Sequence, residues 1–231
     1  MKFFSLFKSI YKKQNYILAI IVILLSLDLI LFLRVNWAFL MWNIFLAVIA
    51  AQLINKYSSI DFDKTKLSSF KKAIYRVICL VLFPNIIYLI TDIIHIRYFL
   101  ESYIPNYPQI YSTTSIGLGN KIIILEISIL ILTCIYGLML HIKTMPKLKN
   151  MFNANTRNRK YILILIISYA LFIGRISRLN SWDIVTNPTL FLKTVISSLI
   201  DPDMYAFTLL FFCLLLVIDN LANRLNKSNN Y

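Results

Sequence analysis

Asn85, Tyr88, Asp92 and His95 follow one another at intervals of three, four and three residues, the spacing of side chains that share one face of a helix. An amide, a phenol, a carboxylate and an imidazole so placed form a set that could bind a ligand and move protons. His95 is the candidate acid or base, because an imidazole changes charge near neutral pH. Asp92 is the candidate orienting carboxylate. A second set lies further along the chain, as Gly174-Arg175 and then Arg178-Leu179-Asn180-Ser181-Trp182-Asp183. Arg175 and Arg178 share a face if one helix carries both, and paired guanidinium groups recognise carboxylate and phosphate. The candidate catalytic residues are therefore His95, Asp92 and Asp183. The candidate ligand-binding residues are Arg175, Arg178, Asn85, Tyr88 and Trp182, with Asp28, Asn43 and Glu126 in support.

The elements that must position these groups are apolar. The chain has 231 residues, 59% of them hydrophobic, with a mean hydropathy of +0.71, above what a soluble domain carries. A membrane-spanning helix needs about 20 mostly apolar residues. Six runs approach that length, at residues 17–33, 37–54, 73–96, 122–142, 161–179 and 205–222. The expected fold is all-α, a polytopic transmembrane helical bundle of about six spans in one integral membrane domain, 1–231. Pro84-Asn85 interrupts the third run. A proline lacks an N–H and frees a carbonyl one turn back, and in lipid a neighbour must satisfy it. The Lys-rich start followed by an apolar stretch imitates a signal peptide. No small-residue cleavage site follows Leu33, however, so the first run reads as a retained helix.

Charge orients the runs. There are 24 Lys and Arg against 10 Asp and Glu, a net charge of +14. In a soluble chain that excess suggests nucleic acid. Here the charges crowd the gaps between apolar runs, which points to the lipid bilayer as partner and away from nucleic acid. The N-terminal tail, the segments Lys56–Arg76 and Lys143–Lys160, and the C-terminal Arg224 and Lys227 fall on one side. Only Arg34, Arg97, Lys121, Arg175, Arg178 and Lys193 fall on the other. Cytoplasmic loops are rich in Lys and Arg, so both termini are expected in the cytoplasm of a multi-pass plasma-membrane protein. Trp37, Trp42 and Trp182 near the outer interface agree with this. Asp92, His95, Arg175 and Arg178 are then extracytoplasmic in position, with Asp92 expected to pair with Arg175 or Arg178. Between Arg97 and Lys121, the tyrosines Tyr98, Tyr103, Tyr107 and Tyr111 suggest an irregular aromatic loop. Pro188 at a first helical position suggests a short interfacial helix reaching Leu199. Asp219 reads as a solvated end residue, and His141 as the cytoplasmic end of the fourth run.

Cys79, Cys134 and Cys213 lie inside apolar runs without CxxC spacing, so neither a disulfide framework nor a zinc site is expected. A magnesium or calcium site on Asp28, Asp92, Glu126 or Asp183 has no ligand spacing behind it. No metal is expected, and the sequence leaves any cofactor unknown. Thr91 and Ser181 are hydroxyls within reach of the candidate set, but there is no G-x-S-x-G elbow, and a membrane threonine commonly bonds a backbone carbonyl.

Three segments resemble the signature blocks of an uncharacterised bacterial membrane family, the domain-of-unknown-function 1361 family. They are Asn36-Trp37 with Trp42-Asn43-Ile44-Phe45-Leu46-Ala47, then Phe83-Pro84-Asn85 through Thr91-Asp92-Ile93-Ile94-His95, and Gly174-Arg175 with Arg178 through Asp183. Their order covers most of the chain. The resemblance implies a small multi-spanning protein and no established activity. The chain departs from the family pattern at Ile86-Ile87, where a small residue or proline is usual.

Three functional readings remain open. In the first, an outer polar site binds an anionic lipid head group or phosphate through Arg175 and Arg178. In the second, a membrane-embedded enzyme acts on a lipid or lipid-linked substrate. In the third, the chain is a structural or accessory subunit of a larger membrane complex.

Overall fold

A computed structural model describes residues 14–32, 38–58, 69–95 and 118–227. Trp37 and the tyrosines of segment 97–117 lie outside these, as do the side chains of Asp28 and His95. Every element among the described residues is helical. In chain order they are α1 (Gln14–Phe32), α2 (Ala38–Ser58), α3 (Ser69–Leu82), α4 (Pro84–Thr91) continued by a 3₁₀ turn at Asp92–His95, α5 (Leu118–Met151), α6 (Arg157–Arg175), α7 (Asp183–Thr186), α8 (Pro188–Ser198) and α9 (Pro202–Lys227).

Four described stretches are long and apolar enough to cross a membrane: Phe39–Ser58, Ser69–Thr91, Leu125–Met151 and Pro202–Arg224. Of the other two expected spans, α1 contributes the shorter apolar stretch Asn15–Leu25. The second, α6, has 19 residues and carries Arg157, Arg159, Lys160 and Arg175 at its ends.

The surface of α9 shows which solvent it suits. Tyr205, Leu209, Leu210, Leu214, Val217 and Leu221 are exposed, Leu210 by 65%. A soluble helix turns polar residues outward, whereas an apolar outward stripe belongs in hydrocarbon. The opposite stripe, Met204, Thr208, Phe211, Leu215, Asp219 and Ala222, is buried. These residues recur every three or four positions, so α9 carries an outward and an inward stripe, and the inward one is apolar but for Thr208 and Asp219.

The third run breaks where its proline requires. Between α3 and α4 the chain turns at Phe83, whose carbonyl accepts from Ile86 N at 3.0 Å. The fourth run departs from expectation. The sequence places it at residues 122–142, yet α5 continues to Met151 through Lys143, Pro146, Lys147 and Lys149. Long lysine stems can lie along apolar surface while their amines find partners, and Lys147 Nζ donates to Asn55 Oδ1 at 2.6 Å. His141 is thus buried within a helix rather than placed at its cytoplasmic end. It is 1% exposed and its ring lies 5.5 Å from that of Phe83. Neither ring nitrogen has a hydrogen-bond partner among the described residues.

The chain divides into two compact units, Met1–Phe45 with Tyr88–Met139, and Leu46–Ile87 with Leu140–Tyr231. In the first, Ile17, Ile21 and Leu25 of α1, Leu40 and Ile44 of α2, and Ile129, Leu130, Tyr136 and Met139 of α5 are buried. In the second, α9 packs on α6 and α8 packs on α6 and α7. Phe172, Ile173 and Met204 form a core there with Tyr169, Phe191, Val195 and Phe207 around it. Tyr169 Oη donates to the Val195 carbonyl at 3.1 Å and lies 2.8 Å from Ser198 Oγ, fastening α8 to α6. The expected helix after Pro188 is present, with the Asn187 side chain capping Leu190 N at 3.3 Å.

Candidate binding site

The first unit brings two of the sequence candidates together. Asn43 Nδ2 donates to both carboxylate oxygens of Asp92, at 3.3 and 3.1 Å. Asp92 is 0% exposed, and a buried carboxylate is tolerated only with hydrogen-bond donors around it. Asn43 sits on α2 and Asp92 opens the 3₁₀ turn, so this contact joins residues far apart in sequence. Glu126 on α5 is also buried. Tyr88 is half-buried, and its carbonyl accepts from Thr91 Oγ1 at 3.0 Å. Thr91 therefore has the local backbone bond expected of a membrane threonine.

The second unit holds the other candidates. Asn85 Nδ2 donates to the Leu82 carbonyl at 2.9 Å and to Ser181 Oγ at 3.2 Å. Ser181 Oγ donates in turn to the Val81 carbonyl at 3.3 Å. Leu82 and Val81 are the last residues of α3, where the break has removed the regular i→i+4 donors. Two side chains, one local and one distant, thus satisfy the carbonyls that the break exposes.

Asp183 closes its own turn. One carboxylate oxygen accepts from Asn180 N at 2.6 Å and the other lies 3.4 Å from Thr186 Oγ1. That geometry makes it the residue that closes the turn at the start of α7. Trp182 beside it is about one-third exposed.

The arginines differ from expectation. Since α6 ends at Arg175, Arg178 stands beyond the helix and does not share a face with Arg175. The helix unwinds with Ser177 N on the Phe172 carbonyl at 3.3 Å and Leu179 N on the Ile173 carbonyl at 3.2 Å. Arg178 lies between them at φ 56°, in the left-handed region where glycine is the usual residue. Arg175 is half-buried and Arg178 exposed. Asp92 belongs to the first unit and both arginines to the second, so their pairing remains an expectation from sequence.

One polar centre escaped the sequence reading. Asp219, expected in solvent, is 1% exposed. Its Oδ1 lies 2.6 Å from Lys149 Nζ and its Oδ2 lies 3.5 Å from Lys160 Nζ. Asn223 Nδ2 also donates to Oδ2, at 3.3 Å. The signal was present in the spacing: Asp219 falls on the stripe of Phe211, Leu215 and Ala222 that faces inward, four residues after Leu215. Among the described residues no group of three or more His, Cys, Asp or Glu gathers in a metal-holding arrangement.

No curated protein and no solved structure matches the chain. The sequence model of one family, described as Protein of unknown function (DUF1361), matches residues 42–218. That stretch contains Asn43, the Pro84 break, Asp92 and both arginines, and on it the chain belongs to this DUF1361 family of proteins of unknown function.

Proposed function

We propose that this integral membrane protein binds an anionic head group or phosphate at the connection that follows α6, on the extracytoplasmic side. Charge counting puts the Lys- and Arg-rich start of α6 in the cytoplasm, so the helix would deliver Arg175 and Arg178 to the outer surface.

The observation that supports this reading is Arg178 itself. It is an exposed arginine held at φ 56°, where a residue with a Cβ costs about 1–2 kcal/mol relative to glycine. A local cost of this kind persists where the side chain has work to do. Asp183 is nearby in sequence, but its carboxylate is engaged by Asn180 N and Thr186 Oγ1. A guanidinium at such a site offers forked donors suited to phosphate oxygens.

Binding of inorganic phosphate to the full chain in zwitterionic nanodiscs, alongside retention of an anionic phospholipid in doped nanodiscs, tests this. Arg178→Gly should melt at or above the wild-type temperature, because its backbone strain is relieved. It should also lose about tenfold or more in affinity, the worth of one charge-assisted hydrogen bond. Wild-type affinity for both probes in Arg178→Gly would refute the reading.

A further inference from the structure

A cavity of ≈ 330 Å³ opens beside Asp219, lined by Lys149, Ala154, Asn155, Arg157, Lys160 and Asn223. All six belong to the second unit, and local structure fixes each wall. The end of α5 is closed by Ala154 N on the Lys149 carbonyl at 2.8 Å and Asn153 N on the Asn150 carbonyl at 3.1 Å. Asn153 itself is at φ 51°, and the two bonds are the paired closure typical of a helix that ends on a left-handed residue. After five intervening residues, 152–156, α6 begins at Arg157. The short turn therefore sets the last lysine of α5 against the first residues of α6, and Asn223 comes from α9.

The donors around this cavity outnumber the acceptors. Lys149, Arg157 and Lys160 supply three positive charges, and Asp219 supplies one negative charge. An ammonium has three donors, and Lys149, itself buried, gives one of them to Asp219 at 2.6 Å. Arg157 is held over the Tyr161 ring with its Cζ 5.5 Å from the centroid, and its Nε donates to Tyr161 Oη at 3.1 Å. That contact orients the guanidinium and engages Nε, while both amino groups remain for another acceptor. The N-cap residue Thr156 makes no side-chain cap bond to the first turn of α6, and a helix N-terminus favours negative charge. Asp219 thus acts as an internal counter-ion that aligns two lysines without neutralising the wall.

We infer that this cavity is a second anion site, for a ligand presenting a phosphoryl or similar oxyanion. Lys149 and Lys160 meet the charge, Arg157 forks onto two oxygens, and Asn155 and Asn223 offer amide donors. The same chemistry would accept free phosphate or a phospholipid head group reaching in from the adjoining leaflet. The site lies at the opposite end of α6 from Arg178 and does not depend on that residue.

The test uses the full chain in nanodiscs. Arg157→Gln and Lys160→Gln are chosen because Arg157 is exposed and Lys160 half-buried, and thermal melting reports whether each variant folds. Inorganic phosphate is titrated into zwitterionic nanodiscs, and in a second arm retention of phosphatidylglycerol is read by native mass spectrometry. Both variants are also made in the Arg178→Gly background. The expected result is an affinity loss of about tenfold or more in one arm, with normal melting and in both backgrounds. A loss confined to the phosphate arm identifies a free anion, and one confined to the lipid arm identifies a head group. Undiminished binding of both probes in the two variants overturns the inference. So does binding that Arg178→Gly alone abolishes.

Discussion

Asn85 is a ligand-binding candidate by its type and spacing, and in the fold its amide is engaged at the helix break. Its amide reaches the Leu82 carbonyl and Ser181 Oγ, while Ser181 reaches the Val81 carbonyl. Pro84 made the break legible, since a missing N–H must free a carbonyl. The identity of the compensating groups was not legible, because Ser181 lies 96 residues from Asn85 and only folding brings them together. The same is true of Asn43 and Asp92, each recognised as polar at membrane depth but joined only in three dimensions. If the pair serves the break, Asn85→Ala and Ser181→Ala should each destabilise the protein by about 0.5–1.5 kcal/mol. Their double mutant should cost less than the sum, because the two share a hydrogen bond. A double-mutant cycle on thermal or denaturant unfolding in detergent measures this. Strict additivity would mean that the contact contributes nothing of its own.

At the scale of elements, periodicity carried most of the information. The buried stripe of α9 and that of α6, which includes Leu163, Ile164, Ile167, Ser168, Leu171 and Phe172, both follow from a 3.6-residue repeat. Element ends were harder to read. Charged residues predict the end of the fourth run at residue 142, yet α5 carries its lysines to Met151 because Asn55 and Asp219 receive two of them. Composition shows a lysine but not its partner. Asp219 now has a definite energetic role, since breaking a buried pair by removing one partner leaves an uncompensated charge. Asp219→Asn should therefore lower stability by about 3–5 kcal/mol. Combining Asp219→Leu with Lys149→Met, which removes both charges and keeps apolar bulk, should recover most of that loss. Melting curves of the purified variants in one detergent decide it. A double variant as unstable as Asp219→Asn would show that the pair is not the reason for the loss.

For the whole molecule, the outward apolar stripes argue for the bilayer independently of hydropathy averages, since they concern which atoms remain uncovered after packing. The direction in which the chain threads that bilayer rests on charge distribution alone. The two ends of α6 make it testable. A helix of 19 residues rises about 28 Å, close to the roughly 30 Å of the hydrocarbon core, so its flanking connections should face opposite aqueous phases. Asn155 precedes the helix and Val185 follows it, and both are exposed. Single cysteines at these positions, in a background with Cys79, Cys134 and Cys213 replaced by serine or alanine, should label differently with a membrane-impermeant maleimide. In intact cells Val185→Cys should react and Asn155→Cys should not, until the membrane is permeabilised. This follows because Lys149, Arg157, Arg159 and Lys160 cluster at the first end, and such clusters are retained in the cytoplasm. The reverse pattern would invert the orientation and exchange the leaflets assigned to the Arg178 and Asp219 sites. Labelling of both positions from outside would show that α6 does not cross the bilayer, and that its terminal charges lie along one surface.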